Sequence, residues 1–198
     1  HTIFKNLLKQ LDYPLAAPSA NITTKISAVK AKDVKEEFGS KIKYILNGGA
    51  CNIGIESTII NLIGRPTILR LGGLDNLKIQ KTLGFKINIS INPKKKIAPG
   101  QSRLHYSPGI PLRMNITKPK NDEAFVIIKK RKNKLKNYFY LTSKNNLNEA
   151  AKNLYSCLRK IKNDGYKSIA VEKIPNIGLG KTINDRLCKA AMFRIIKN

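Results

Sequence analysis

The sequence predicts an α/β protein of two modules, and three observations carry that reading. Beyond residue 115 the apolar pattern runs strand, strand, helix, strand, helix, the signature of a small layered α/β unit with parallel pairing. Before residue 92, short strand candidates alternate with glycine turns and short helices. Between the two lies "PKKKIAPGQSRLHYSPGIPLR", a lysine run followed by a proline- and glycine-rich stretch. The boundaries expected are 1–92 for the first module, 93–113 for the linker and 114–198 for the second module.

Residues 4–11, "FKNLLKQL", have helical spacing, and "DYPLAAPSAN" then breaks any helix twice with proline. "AKDVKEEFG" reads as a short helix with Val34 and Phe38 on one face and Gly39 as its stop. Strands are expected at "KYIL" (43–46), "STIINLI" (57–63) and "PTILRL" (66–71). "LDNLKIQKTLG" is a second short helix and "FKINISI" a further strand. In the second module "EAFVII" and "YFYLT" read as strands. Leu147, Ala150, Ala151, Leu154, Tyr155, Leu158 and Ile161 recur at helical spacing, with Gly165 closing the helix. Strand "SIAVE", loop "KIPNIGLG" and a helix from about Ile183 complete the order.

An apolar share of 41% supplies a packed core, so the composition is not that of a disordered chain. No apolar run approaches a membrane span, and the N-terminal stretch lacks the order of a signal peptide. Cys51, Cys157 and Cys188 are widely spaced with no C-x-x-C pair, and read as reduced, buried, cytosolic thiols. The net charge of +26 points towards nucleic acid, but thirty of the basic residues are lysine against eight arginine. Specific phosphate recognition favours the planar guanidinium, so lysines spread along the whole chain read as a biased composition on solvated positions. Weak, salt-sensitive attraction to RNA follows either way, and a non-catalytic basic RNA-binding module is the alternative reading.

Four motifs could carry chemistry. "APSANITTKIS" sets Ser19, Asn21, Thr23 and Ser27 around a proline turn, where hydroxyls and free amides suit a phosphate or carboxylate, or simply cap a helix. "GIESTIINL" puts Ser57 at the start of a strand, without the G-x-S-x-G of a nucleophile elbow. "PTILRLGG" ends a strand on Arg70 beside two glycines, a phosphate clamp or a surface salt-bridge partner. "NIGLGKTINDRL" lacks the third glycine of a dinucleotide fingerprint and fits a tight strand-to-helix turn equally well. Together they offer hydroxyls, an arginine and glycine turns, with no acid–base pair and no metal cluster. That inventory favours holding a phosphorylated ligand over hydrolysing a bond with a nucleophile.

The order "PLAAPSANIT…S", "LNGGACNIGIESTIINL", "ILRLGG", "APGQSRLHYSP" and "GLGKTINDRLCKAA" closely resembles the Sua5 family of threonylcarbamoyl-AMP synthases, the two-domain form of the YrdC-like enzymes, from residue 1 to about 192. The resemblance implies the C-terminal part of a YrdC-like twisted mixed-sheet domain, then a linker and a small Rossmann-like α/β domain. It also implies a nucleotidyltransferase that makes threonylcarbamoyl-adenylate and pyrophosphate from L-threonine, bicarbonate and ATP. The product serves the t6A37 modification of tRNAs that read ANN codons, through downstream threonylcarbamoyl-transfer machinery in the cytoplasm. By resemblance Ser19, Ser27, Arg70 and the linker's Tyr106 meet ATP, and the Ala17 backbone and Ser57 meet threonine or its carbamate. Asn21 and His105 support them, and Mg2+ accompanies the triphosphate. Thr24 stands where the family pattern has glycine, with Thr23 in place of serine. His1 matches the histidine of an R-x-P-x-H segment, so the chain is expected to be the C-terminal part of a longer protein, inactive without its upstream Lys–Arg ATP motif.

The linker "APGQSRLHYSPGIP" then reads as a closable cover over a hydrolysable mixed anhydride. Pro99, Pro108 and Pro111 limit its conformations, Gly100 and Gly109 act as hinges, and His105 and Tyr106 supply contacts at its centre.

Overall fold

Residues 124–127, Ala-Phe-Val-Ile, are all buried, and a strand buried on both faces belongs inside a parallel sheet. The computed structural model, which describes residues 1–131 and 135–192, places this strand there. The second sheet and its helices are built from β4 (Leu112–Arg113), which takes the last two residues of the expected linker, β5 (Ala124–Lys129), β6 (Tyr138–Thr142), α4 (Leu147–Asn163), β7 (Ile169–Val171) and α5 (Leu179–Ala191). Its four strands lie in the order β4-β7-β5-β6 and every pairing is parallel. The end of the predicted second module, residues 193–198, lies outside the described residues.

Asn146 caps α4 by accepting from the Asn148 and Glu149 amides, and the helix buries Ala150, Ala151, Leu154, Tyr155, Leu158 and Ile161. That is the stripe expected from the spacing, less Leu147, which is only half-buried. α5 begins one turn earlier than expected. Gly178, with φ +49, is the last residue before it, and a side chain on Gly180 would drive into the Pro175 carbonyl. The two glycines therefore serve close packing of strand, turn and helix.

The first module contains α1 (Thr2–Leu8), α2 (Ala31–Phe38), β1 (Ile59–Asn61), β2 (Thr67–Arg70), α3 (Asn76–Leu83) and β3 (Asn88–Ile89). Asp33 starts α2 by accepting from the Val29 and Lys30 amides, and Gly39 at φ +55 stops it. β1 and β2 pair antiparallel, β2 and β3 parallel, around Ile68, Leu71, Ile79 and Ile87. "KYIL" is not a strand: no strand among the described residues runs beside it, and Tyr44 is 90% exposed. "STIINLI" and "FKINISI" shorten to Ile59–Asn61 and Asn88–Ile89, the residues that pair with β2.

The two modules meet in the largest of their buried clusters. Ile26, Val29 and the linker's Tyr106 sit in the same buried cluster as α4, α5 and the inner face of the second sheet. Gly54 lies against the backbone of Lys152 in α4, and Arg159 of α4 donates to the Ile26 carbonyl at 2.6 Å. The thiol expectation fails at two positions: all three cysteines are free, but Cys51 and Cys188 are exposed. Cys51 lies in a turn outside any element, and Cys188 on the outer side of α5. Among the described residues no helix is long and apolar enough to cross a membrane.

Candidate functional site

The linker and the loop before α2 position each other through backbone bonds. Ser107 donates its amide to the Thr24 carbonyl at 2.8 Å, and Ile26 donates to Ser107 at 3.2 Å. Thr24 takes φ +73 here, the left-handed backbone that glycine adopts freely. The Asn21 carboxamide braces the same turn, donating to the Ile22 and Lys25 carbonyls. Ser27 emerges from this turn buried, and its hydroxyl donates to Glu56 Oε1 at 2.6 Å.

A second pairing brings Arg70 to Ser57. β1 and β2 form a hairpin, and Gly72 lies so close to Ser57 and Thr58 that any side chain there would collide with their backbone. Across this contact Arg70 donates from Nε to the Ser57 carbonyl and from Nη2 to the Ser57 hydroxyl, both at 3.0 Å.

Glu56 joins these pieces to the second module. It accepts from Ser27, from the Tyr155 hydroxyl at 3.1 Å and from Arg186 Nε at 3.0 Å. Burial alone would raise its pKa. The Arg186 charge, with hydrogen bonds from Ser27, the backbone and Arg186, overcomes that and holds the carboxyl below its ordinary value. Arg186 is 1% exposed, is gripped by Asp185, and donates to the Leu71 carbonyl at 2.6 Å. Lys189 completes the group, 2.8 Å from Asp185.

Tyr106 fills the seam. Its ring stacks on Tyr155 at 5.9 Å between centroids, and the Arg186 guanidinium lies over it at 4.5 Å. Burial pushes its phenol up to about 12. Its hydroxyl is buried, has no hydrogen-bond partner among the described residues, and faces Gly100, where a side chain would come within 2.3 Å of it and 3.0 Å of Arg70 Cδ. His105 accepts the Tyr106 amide on Nδ1 at 2.9 Å, which leaves its ring proton on Nε2. Burial, reinforced by the charges of Arg186, Lys189 and Arg70 and opposed by Glu56, lowers its pKa, so the ring is neutral near pH 7.

Of the residues expected from sequence, Ser27, Ser57, Arg70, His105 and Tyr106 therefore belong to one linked group. Ala17 and Ser19 lie outside it: both are exposed, and neither the Ala17 backbone nor the Ser19 hydroxyl makes a hydrogen bond among the described residues. Sequence reading missed Arg186, Tyr155, Asp185 and Lys189, and gave Glu56 no role. Among the described residues no group of His, Cys, Asp and Glu is placed to hold a metal ion.

This is a two-module α/β protein whose hydroxyls, arginines and a buried phenol with no hydrogen-bond partner among the described residues converge where the modules meet. Residues 70–192 match the family described as "Threonylcarbamoyl-AMP synthase, C-terminal domain", and residues 1–72 the family described as "Telomere recombination". The chain belongs to the Sua5/YrdC family. It is 34% identical over 217 residues to the threonylcarbamoyl-AMP synthase of Pyrococcus abyssi, matching 100% of this chain and 63% of that protein. The Bacillus subtilis enzyme of the same name is 30% identical over 216 residues, with 100% and 62% covered. That of Schizosaccharomyces pombe is 31% identical over 225 residues, with 96% and 55% covered. The crystal structure of P. abyssi Sua5 complexed with L-threonine superposes with a TM-score of 0.83 at 31% identity, covering 98% of this chain and 62% of that one. A variant of the same protein, with an adjacent His–Tyr pair replaced by alanines, gives 0.80 at 31% identity, covering 98% and 61%. The chain thus spans a little over half to just under two thirds of the length of these relatives.

Proposed function

We propose that the protein carrying this chain makes L-threonylcarbamoyl-adenylate and pyrophosphate from L-threonine, bicarbonate and ATP. The observation that carries the reading is that the chain aligns end to end with threonylcarbamoyl-AMP synthases while Ser27, Ser57, Arg70 and Tyr106 are drawn into one linked group. In this reading the threonine amine and bicarbonate condense to a carbamate with loss of water, and a carbamate oxygen then attacks the α-phosphorus as pyrophosphate leaves. The chemistry asks little proton transfer of the protein and much positioning and charge neutralisation. Arg70 offers its guanidinium to the polyphosphate, Ser27 and Ser19 their hydroxyls, and the Tyr106 phenol a hydrogen bond. Ser57 and the Ala17 backbone hold threonine or its carbamate, with Asn21 and His105 holding the loop and linker in shape. The carboxylates here do not fit a resident metal, because Glu56 and Asp185 are taken by Arg186 and Lys189. Mg2+ therefore enters as the MgATP complex, as part of the substrate.

The linker serves as the cover. Gly100 at φ +83 and Gly109 at φ +81 border a segment whose centre is anchored between the modules, so closure would shield the mixed anhydride from water. The product then passes to the tRNA threonylcarbamoyl-transfer machinery in the cytoplasm, and contact with RNA stays weak and salt-sensitive. The test is to incubate the full-length protein with MgATP, threonine and bicarbonate and follow both products. Threonine-dependent pyrophosphate release with threonylcarbamoyl-adenylate in equal amount is expected. RNA binding without any coupled binding of ATP and threonine would return the protein to the basic-module reading. Arg70→Ala is expected to lower turnover by about 10²–10³-fold, the scale of one electrostatic stabiliser. A loss below threefold would make Arg70 only the partner of Ser57.

A further inference from the structure

Arg186 belongs to α5 of the second module, yet its contacts fall on the segments that carry the ATP and threonine residues proposed above. One edge of its guanidinium spans two of them. Nε donates to Glu56 at 3.0 Å, and Glu56 takes the Ser27 hydroxyl on its other oxygen at 2.6 Å. Nη2 donates to the carbonyl of Leu71, the residue after Arg70, at 2.6 Å. The face of the same guanidinium lies 4.5 Å from the centre of the Tyr106 ring. Its remaining nitrogen is held by Asp185, which Lys189 grips in turn, so the plane of the fork is fixed from behind.

A buried ion pair is a poor device for stability, because desolvation consumes most of what the attraction returns. A planar fork is, however, a good strut: it fixes the distance and angle between two acceptors, which a point charge on a flexible stem does not. We propose that Arg186 is a positioning residue for the nucleotide site. Through Glu56 it sets the Ser27 hydroxyl, and through the Leu71 carbonyl it sets the end of β2 that carries Arg70, in the arrangement that receives the polyphosphate. The second module thereby acts on the reaction without touching the substrate. The inference rests on the synthase reading and adds to it a role for α5.

The test uses the full-length protein and three variants, with pyrophosphate release and MgATP calorimetry as readouts. Arg186→Lys keeps the charge and loses the fork. Glu56→Gln keeps the volume but leaves one oxygen to serve both Ser27 and Arg186. Leu158→Ala opens a cavity under α4 in the same core and removes none of the hydrogen bonds to Glu56 or Leu71. Arg186→Lys and Glu56→Gln are each expected to raise the KM for ATP at least tenfold while melting as cooperatively as the unaltered protein. Leu158→Ala is expected to melt lower with its KM for ATP within twofold. A KM within twofold for Arg186→Lys, or an equal rise in Leu158→Ala, overturns the proposal. Should Arg186→Lys fail to fold, Glu56→Gln decides alone by the same limit. An unaltered protein that binds no ATP refutes the synthase reading itself, whereas one that binds ATP beside variants that bind it equally refutes only the strut.

Discussion

Gly54 offers a sharp test of how the modules are joined, because two separate costs meet there and can be subtracted. Its φ of +77 already disfavours any side chain, by about 1–2 kcal/mol for a left-handed L-residue. In addition, a Cβ built on Gly54 would lie 2.3 Å from the Lys152 carbonyl oxygen and 2.6 Å from its Cα. Both atoms are α4 backbone and cannot swing aside, so the loop must retreat by roughly an ångström, an overpacking cost of about 1–3 kcal/mol. Retreat also strains the Glu56 bonds two residues on, to Tyr155 at 3.1 Å and Arg186 at 3.0 Å. Gly64 supplies the control: its φ is +70, and a Cβ there meets nothing within 4 Å. Gly64→Ala should therefore cost only the backbone part, and Gly54→Ala about 2 kcal/mol more. For a protein of this size that difference separates the two melting temperatures by about 4–8 °C. Differential scanning calorimetry on the full-length protein and both variants measures it. Melting points within 2 °C of each other would refute the close contact between the loop and α4.

Three further outcomes follow from single residues. Tyr106→Phe removes a buried hydroxyl with no partner among the described residues, so the ligand-free protein should melt about 2–4 °C higher while binding ATP more weakly; a lower melting point would mean that the hydroxyl is already satisfied. Thr24→Gly relieves a β-branched residue at φ +73 and should stabilise by about 0.5 kcal/mol after the entropy of glycine is subtracted; any loss in chemical denaturation would show the turn tolerates threonine without strain. His105 has a folded pKa below its ordinary 6.5, so the unfolded chain takes up the proton first and stability falls as pH drops below that value. His105→Gln should flatten this slope between about pH 7 and 5 and leave the carboxylate limb below it, whereas an unchanged slope assigns the loss elsewhere.

The second module was legible because its elements obey local rules. β5 is apolar at consecutive positions and is buried on both faces, and α4 repeats its apolar residues on a helical period that the core accepts almost unchanged. The first module resisted because strand formation depends on a partner. "KYIL" has the composition of a strand and pairs with no strand among the described residues, while "PTILRL" pairs on both sides. The site was legible in pieces. Ser57 and Arg70 stood in separate motifs, and only the hairpin with the Gly72 contact brings them within 3.0 Å. Arg186 was not legible from pattern at all. Within α5 it lies between Ile183 and Leu187, where a charged residue reads as solvated, and its burial comes from Glu56 and Leu71 of the other module.

A signal for Arg186 did exist in the composition, in the residue type rather than in its spacing. In a chain with thirty lysines and eight arginines, lysine serves wherever a solvated charge suffices, so the arginines are enriched in positions where the guanidinium itself is used, although Arg65 and Arg103 make no side-chain hydrogen bond or ion pair among the described residues. The structure agrees at five of them. Arg113 clasps Glu123 with two nitrogens, Arg131 meets Glu172, and Arg159 reaches Glu37 and the Ile26 carbonyl. Arg70 makes its paired contact with Ser57, and Arg186 binds three acceptors from three places in the chain. The acids tell the same story, since eight of the twelve stand in ion pairs and six of the ten pairs join residues ten or more apart in the chain. The charge excess of +26 is thus carried mostly by lysines that make no ion pair among the described residues, and the specific electrostatics of the molecule lie chiefly in a handful of arginine forks and the buried Lys189. The fork buried deepest among them ties the second module to the residues proposed to hold ATP, which is why net charge is a weak guide to this protein's ligand and the few retained arginines a strong one.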